Sequence, residues 1–164
     1  LFNPYKLTEL KTGVYQFTTD FSVVYSVYFG DGQNYFYDYP EFAGEVLTFG
    51  FDRLSSHDQN YFDIKVRYTI IHLIIQYLET HQDKILFFVC DSADSKGTGR
   101  MRIFQHWYRQ LQVADLEKHD ETIDTGDMLI HCSIILHSNN NMRNHILSSF
   151  RHLSHSTAQK LKSY

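Results

Sequence analysis

The chain has 164 residues, 43% of them apolar and 21% charged, with a formal charge of −4 near neutral pH. That length suits one domain, and that balance belongs to a chain that buries a core rather than to a disordered one. No apolar run approaches the ~20 residues of a bilayer-spanning helix, so neither a membrane span nor a membrane partner is expected.

The 13 Phe and 12 Tyr suit a pleated, half-buried surface and favour sheet in part of the chain. Val14 to Thr18 and Val23 to Phe29 are β-branched and aromatic runs around Thr19-Asp20, a hairpin pattern, and Gly30-Asp31-Gly32 then turns the chain. Tyr35-Phe36-Tyr37 reads as a short edge strand that ends near Pro40. From Glu45 to Arg53 the residues alternate, with Leu47, Phe49 and Phe51 on one face of a strand. From Tyr61 to His81 the period becomes helical. Ile64, Tyr68, Ile71, Ile75 and Leu78 form an apolar face that Val66, Ile70, Leu73 and Ile74 widen, the pattern of a mostly buried helix. Ile85 to Cys90 is continuously apolar, the mark of a strand covered on both sides. A helix between two strand regions fits a crossover unit.

A polar loop over 91–99 leads into a second helix, Arg100 to Gln112, with Met101, Phe104, Tyr108 and Leu111 on one face. Leu116 to Ile123 is a weaker strand pattern, and Asp124-Thr125-Gly126-Asp127 a turn. Met128 to His137 alternates, with Met128, Ile130, Cys132, Ile134 and Leu136 pointing one way. Ser138-Asn139-Asn140-Asn141 offers helix caps, and the last helix sets Met142, Ile146, Phe150, Leu153 and Leu161 on one stripe. Together these predict a single α+β domain over residues 1–164, an antiparallel or mixed β-sheet with about three helices packed on it. The expected order is roughly β-β-(β)-β-α-β-α-β-β-α. Phe49, Ile71, Phe88, Phe104, Ile134 and Phe150 are expected in the core.

Several of these segments together resemble a known family. They are Tyr25-Ser26-Val27-Tyr28-Phe29, Val89-Cys90-Asp91-Ser92, then Arg100, Arg102, Phe104 and Trp107, then Leu116-Glu117-Lys118 and Ile134-Ile135-Leu136-His137. The family is one of small bacterial α+β proteins described as a domain of unknown function. The resemblance implies a bacterial origin and this order of strands and helices, and it brings no activity.

All 19 acidic residues lie between Glu9 and Asp127, whereas the chain from Met128 onward has none and carries Arg143, Arg151, Lys160, Lys162 and five of the ten His. Such asymmetry fits either a contact surface for something acidic or a tail that docks on its own acidic body. Cys90 and Cys132, both in strand-like runs, are expected as reduced core thiols. With no secretory pattern in Leu1-Phe2-Asn3-Pro4, they point to the cytoplasm.

The most site-like feature is the loop after the buried strand, because α/β sheets bind ligands at the carboxyl ends of their strands. Asp91 and Asp94 suit a Mg²⁺ ion, while Gly97, Gly99 and the helix start at Arg100 suit an anion. The bland reading is a capped turn. The loop lacks the Lys-Ser/Thr ending of a P-loop. It also lacks the order of parts expected of an acetyltransferase, whose Gly-rich turn follows an antiparallel meander. Arg102, His106 and Arg109 share a helix face that suits either phosphate contact or solvent. Arg151, His152 and His155 line the outer face of the last helix. No metal site and no cofactor are expected, since His131 with His137 and His152 with His155 are pairs without a third ligand nearby in sequence.

The favoured expectation is a non-enzymatic bacterial interaction or regulatory domain whose partner is an acidic protein surface or a second copy. Two alternatives stand beside it. One is a metal-dependent nuclease or phosphotransfer enzyme that uses the Asp91–Arg100 loop. The other is a nucleic-acid-binding module that uses the Arg and His faces, which the net negative charge disfavours.

Overall fold

The computed structural model describes residues 3–55, 63–91, 115–124, 126–127 and 129–162; for Cys90, Asp91 and residues 154–162 it describes the backbone alone. Seven strands form one mixed sheet: β1 (Thr8–Lys11), β2 (Val14–Thr18), β3 (Val24–Asp31), β4 (Val46–Arg53), β5 (Ile85–Asp91), β6 (Leu116–Asp124) and β7 (Leu129–His137). Their order across the sheet is β1-β2-β3-β4-β5-β7-β6. β1 to β4 make an antiparallel meander, β4 and β5 run parallel, and β7 lies antiparallel to both β5 and β6. Two α-helices are present among the described residues, α1 (Ile64–Thr80) and α2 (Arg143–Lys162). The helix expected over 100–112 lies outside them. The α+β class and the mixed sheet agree with the sequence expectation. No helix among the described residues is long and apolar enough to cross a membrane.

The alternation of β5 organises the core. Leu86 and Phe88 face α1 with Ile70, Ile71, Leu73, Ile74 and Leu78, joined by Val27 and Phe17 of the meander and Ile135 of β7. Ile85 and Phe87 face the other way, into a cluster with Cys132, Ile134 and Leu136 of β7 and Ile146, Leu147 and Phe150 of α2. The period of two in the strands therefore feeds two cores, one on each side of the sheet. The crossover β4-α1-β5 follows because a parallel neighbour is reached only by crossing a face. Of the expected core residues, Ile71, Phe88, Ile134 and Phe150 are buried, Phe49 is half-buried, and Phe104 lies outside the described residues.

Two local readings need correction. Tyr35-Phe36-Tyr37 is not an edge strand; Gln33–Phe36 is a 3₁₀ turn, followed by another at Ala43–Glu45. The Asp31 carboxylate accepts the Gln33 N–H at 2.9 Å and starts that turn, and only Phe36 of the three aromatics is buried. Phe36 and Phe42 roof the α2-side core over Phe87, so this insertion does the work of a helix on that face. β1 gives no sequence pattern because all four of its residues are exposed. Gly13 closes its turn into β2 at φ +77, a conformation glycine adopts without steric cost.

A buried phenylalanine contributes its transfer free energy and leaves a cavity when removed. Phe88→Ala on the α1 side and Phe150→Ala on the α2 side are each expected to cost about 3–5 kcal/mol in denaturant unfolding. A loss under about 1 kcal/mol at both sites, the size of a surface change, contradicts this packing.

Candidate functional site

β4 and β5 are parallel neighbours, yet only Val46↔Ile85, Leu47↔Leu86 and Thr48↔Phe87 pair between them. Both strands run on, β4 to Arg53 and β5 to Asp91. Each stays paired on its other edge: β3 follows β4 as far as Tyr25↔Arg53, and β7 follows β5 as far as Asp91↔Ile130. The sheet thus opens between its two parallel strands into a slot along Phe49–Arg53 and Phe88–Asp91. At ~3.3 Å per residue the part of β5 beyond its last pair with β4 gives it a length of roughly 13 Å. Backbone N–H and C=O groups along such a slot require partners. It lies at the carboxyl ends of parallel strands, where sheets of this kind bind ligands.

Asp91, the first residue of the expected anion or metal loop, ends β5 and stands at the mouth of this slot. Asp94, Gly97, Gly99 and Arg100 lie outside the described residues. The rim came from residues the sequence did not single out. Tyr28 of β3 sits opposite Gly50 of β4, and a Cβ on Gly50 would fall 2.6 Å from its ring and hydroxyl. Glycine at 50 is what lets the ring lie across β4. Burial, then the Asp52 charge, raises the Tyr28 phenol pKa above the ordinary value. Tyr28, Phe51 and Val89 are exposed at 37%, 37% and 43%, so the rim is apolar as well as charged.

The N-terminal segment fixes the start of α1 near this end of the sheet. Asp63 caps the helix by accepting the Lys65 N–H at 2.9 Å, and it also accepts the Tyr5 hydroxyl at 2.7 Å. The Tyr5 N–H donates to Thr69 Oγ1 at 2.8 Å, and its ring stacks on Phe17. Burial, then the hydrogen bond to Asp63, pushes the Tyr5 phenol up to about 12. A cap already filled by a carboxylate repels rather than attracts an anion, which argues against a phosphate site at this helix start.

A second polar group lies on the β6–β7 hairpin. Lys118 Nζ and Ser133 Oγ both donate to Asp120 Oδ1, and the Lys118 side chain is only 1% exposed. On the same sheet face His131 Nδ1 lies 3.0 Å from Thr122 Oγ1, while its buried Nε2 has no hydrogen-bond partner among the described residues. Cys132 points to the opposite face, where burial pushes its thiol up to about 12 and leaves it a core residue rather than a nucleophile. Among the described residues no three His, Cys, Asp or Glu side chains group as a metal-binding set.

The tail docks in part on its own body. Arg143 at the start of α2 grips Glu117 of β6, with Nε at 2.8 and 2.9 Å and Nη2 at 2.8 Å, and this lowers the Glu117 pKa. His145 lies 3.7 Å from Glu41. Arg151 and His152 are exposed on α2, whereas the His155 side chain and all of Arg102, His106 and Arg109 lie outside the described residues. A cleft of about 770 Å³ opens at the other end of the sheet, between the end of α1 and the start of α2. Part of its polar lining is engaged internally: Glu45 pairs with Lys84, and Asn140 bonds Gln82 O, Asp83 O and the Met142 N–H.

Fold and slot together define a mixed-sheet α+β domain with an opening of ligand length between its two parallel strands. The chain belongs to a family of unknown function (DUF6169), which matches residues 62–152, more than half its length. The resemblance to an uncharacterised domain family is thereby borne out. No curated protein and no solved structure matches the chain. The family match takes in α1, β5, β6 and β7 but stops short of the meander that supplies the other wall of the slot.

The hairpin network yields an asymmetric prediction. Asp120→Ala takes a carboxylate away from a buried ammonium and is expected to cost about 3 kcal/mol, whereas Lys118→Met replaces the ammonium with an apolar chain and is expected to cost less. Equal losses in chemical denaturation would contradict a buried Lys118–Asp120 pair.

Proposed function

We propose that this chain is a binding or regulatory domain rather than a catalyst, and that it takes an extended, amide-bearing ligand into the slot between β4 and β5. The observation that supports this is the parting of two parallel strands after three pairs while both outer edges stay paired. An extended peptide joins a sheet beside a strand through main-chain hydrogen bonds, leaving alternate side chains to give specificity. The half-exposed apolar rim of Tyr28, Phe51 and Val89 suits such a ligand and does not suit a bare metal or phosphate. A separate contact of the α2 outer face, through Arg151, His152 and His155, with an acidic partner or a second copy is also proposed. Its weight is reduced because Arg143 and His145 at the start of α2 already pair within the chain.

A second reading, acyl transfer, draws on the order of parts. The antiparallel meander is followed in the chain by segment 54–63, then by α1 and the parallel β5. That order fits an acetyltransferase, and the extended amide arm of acetyl-coenzyme A fits the slot chemically. Segment 54–63 carries no glycine, which departs from the Gly-rich pattern of an acetyltransferase. For that reason binding without transfer is the first reading.

Amide shift mapping of the isotope-labelled protein distinguishes them. The probes are acetyl-coenzyme A and an acetylated, amide-capped pentapeptide of alternating valine and threonine. The first reading expects saturable shifts centred on Phe49–Arg53 and Phe88–Asp91 with the peptide. Shifts there with acetyl-coenzyme A alone favour the second. No shift in either segment with either probe removes the slot as a binding site.

A further inference from the structure

The cleft of about 770 Å³ between the end of α1 and the start of α2 has the volume of a small-molecule site and lies at the opposite end of the sheet from the slot. Asn140, 8% exposed, fixes its walls: Nδ2 donates to Gln82 O at 3.1 Å and Asp83 O at 3.4 Å, and Oδ1 accepts the Met142 N–H at 2.9 Å. Phe42, Met142 and Ile146 give the cleft an apolar floor. Five lining side chains are left over from these contacts. Glu79 and Asp83 enter no ion pair among the described residues, and the side-chain amides of Gln82, Asn139 and Asn141 enter no hydrogen bond among them. No lysine, arginine or histidine lines the cleft, and Lys84 beside it is held by Glu45 at 2.6 Å, so its lining keeps a negative excess.

We propose that this cleft is a binding site for a small hydroxylated amine, and the proposal stands apart from the slot. An ammonium offers three donors and no acceptor, which matches the carboxylates of Glu79 and Asp83 and forms charge-assisted bonds with them. The carboxyl end of α1 adds its partial negative charge on the same side. A hydroxyl both donates and accepts, which matches the amides of Gln82, Asn139 and Asn141, each with two donors and an acceptor. The carbon chain between these groups lies on the apolar floor. An anion is repelled by the carboxylates and gains nothing from the start of α2, where the Met142 and Arg143 N–H groups already bond Asn140 Oδ1 and O. A bare metal ion finds no set of three carboxylate or imidazole ligands among the described residues.

The test uses the full chain and three linear six-carbon probes: glucamine, which carries hydroxyls and an ammonium; sorbitol, its neutral counterpart; and hexylamine, which lacks the hydroxyls. Affinity and location are both read by titrating amide shifts of the isotope-labelled protein. Glucamine is expected to give saturable shifts centred on Glu79–Asp83 and Asn139–Met142. It is expected to bind about tenfold more tightly than sorbitol, as one charge-assisted contact implies. The double variant Glu79→Gln with Asp83→Asn is expected to lower glucamine to the affinity of sorbitol while leaving sorbitol binding and the thermal midpoint unchanged. The charge-matched variant Glu121→Gln with Asp127→Asn, on the β6–β7 hairpin, is expected to keep the preference. Equal affinity for glucamine and sorbitol overturns the proposal, as does a preference that survives the first variant or is lost equally in the second. Hexylamine binding as tightly as glucamine overturns the assignment of a hydroxylated ligand. Absence of shifts at the cleft with all three probes overturns the site itself and leaves the slot reading untouched.

Discussion

Everything in this fold is arranged around β5, a strand with a core on each face and a paired neighbour along the whole of one edge. Seven residues, Ile85–Asp91, meet β7 without interruption. The side chains of Ile85–Phe88 alternate between the α2 core and the α1 core. Burial on both faces demands apolar residues, and the sequence supplies Ile85-Leu86-Phe87-Phe88. The one edge left incomplete is the one toward β4. A strand locked on three sides can afford to leave its fourth open only where something else satisfies the backbone.

The opening is built by what holds the strands apart as much as by the strands. β4 stays paired with β3 through seven register pairs, from Leu47 to Arg53, so it follows β3 beyond its last pair with β5. α1 ties the two parallel strands together, and Tyr5 clamps its start to β2 through Phe17 and to the helix cap through Asp63. On the far face, the 3₁₀ turns with Phe36 and Phe42, together with Phe150 of α2, press on Phe87 at the last paired position. Packing therefore closes the sheet up to Phe87 and leaves it open beyond. The bidentate grip of Arg143 on Glu117 secures α2 over β6, which explains part of the charge asymmetry as intramolecular docking.

The layered architecture was legible because its signals are periodic. Ile85 to Cys90 announces a buried strand, and Ile70, Ile71, Ile74 and Leu78 announce the buried helix beside it. The reading failed where identity and context diverge. Tyr35-Phe36-Tyr37 has strand-forming residues, but the Asp31 side chain turns the backbone first. Lys118 and Asp120 lie in a strand that looks solvent-facing, since nothing in Glu117-Lys118-His119-Asp120 says that the lysine turns inward to Asp120, which Ser133 also bonds across the hairpin. The slot itself has no sequence signature, because parting strands is a property of register and not of residue type. Its one trace is Gly50 in the middle of β4, a residue that weakens a strand unless something must approach closely, and here Tyr28 does.

The central claim is that β4 and β5 pair at Val46–Thr48 with Ile85–Phe87 and then separate. Scalar couplings across hydrogen bonds, measured by NMR on the unliganded protein, report each backbone bond individually. The account predicts couplings between β4 and β5 confined to the paired residues, together with couplings from β4 to β3 and from β5 to β7 that continue to the strand ends. Couplings linking Phe49–Arg53 directly to Phe88–Asp91 would show a closed sheet with no slot, and the binding function argued from it would fall.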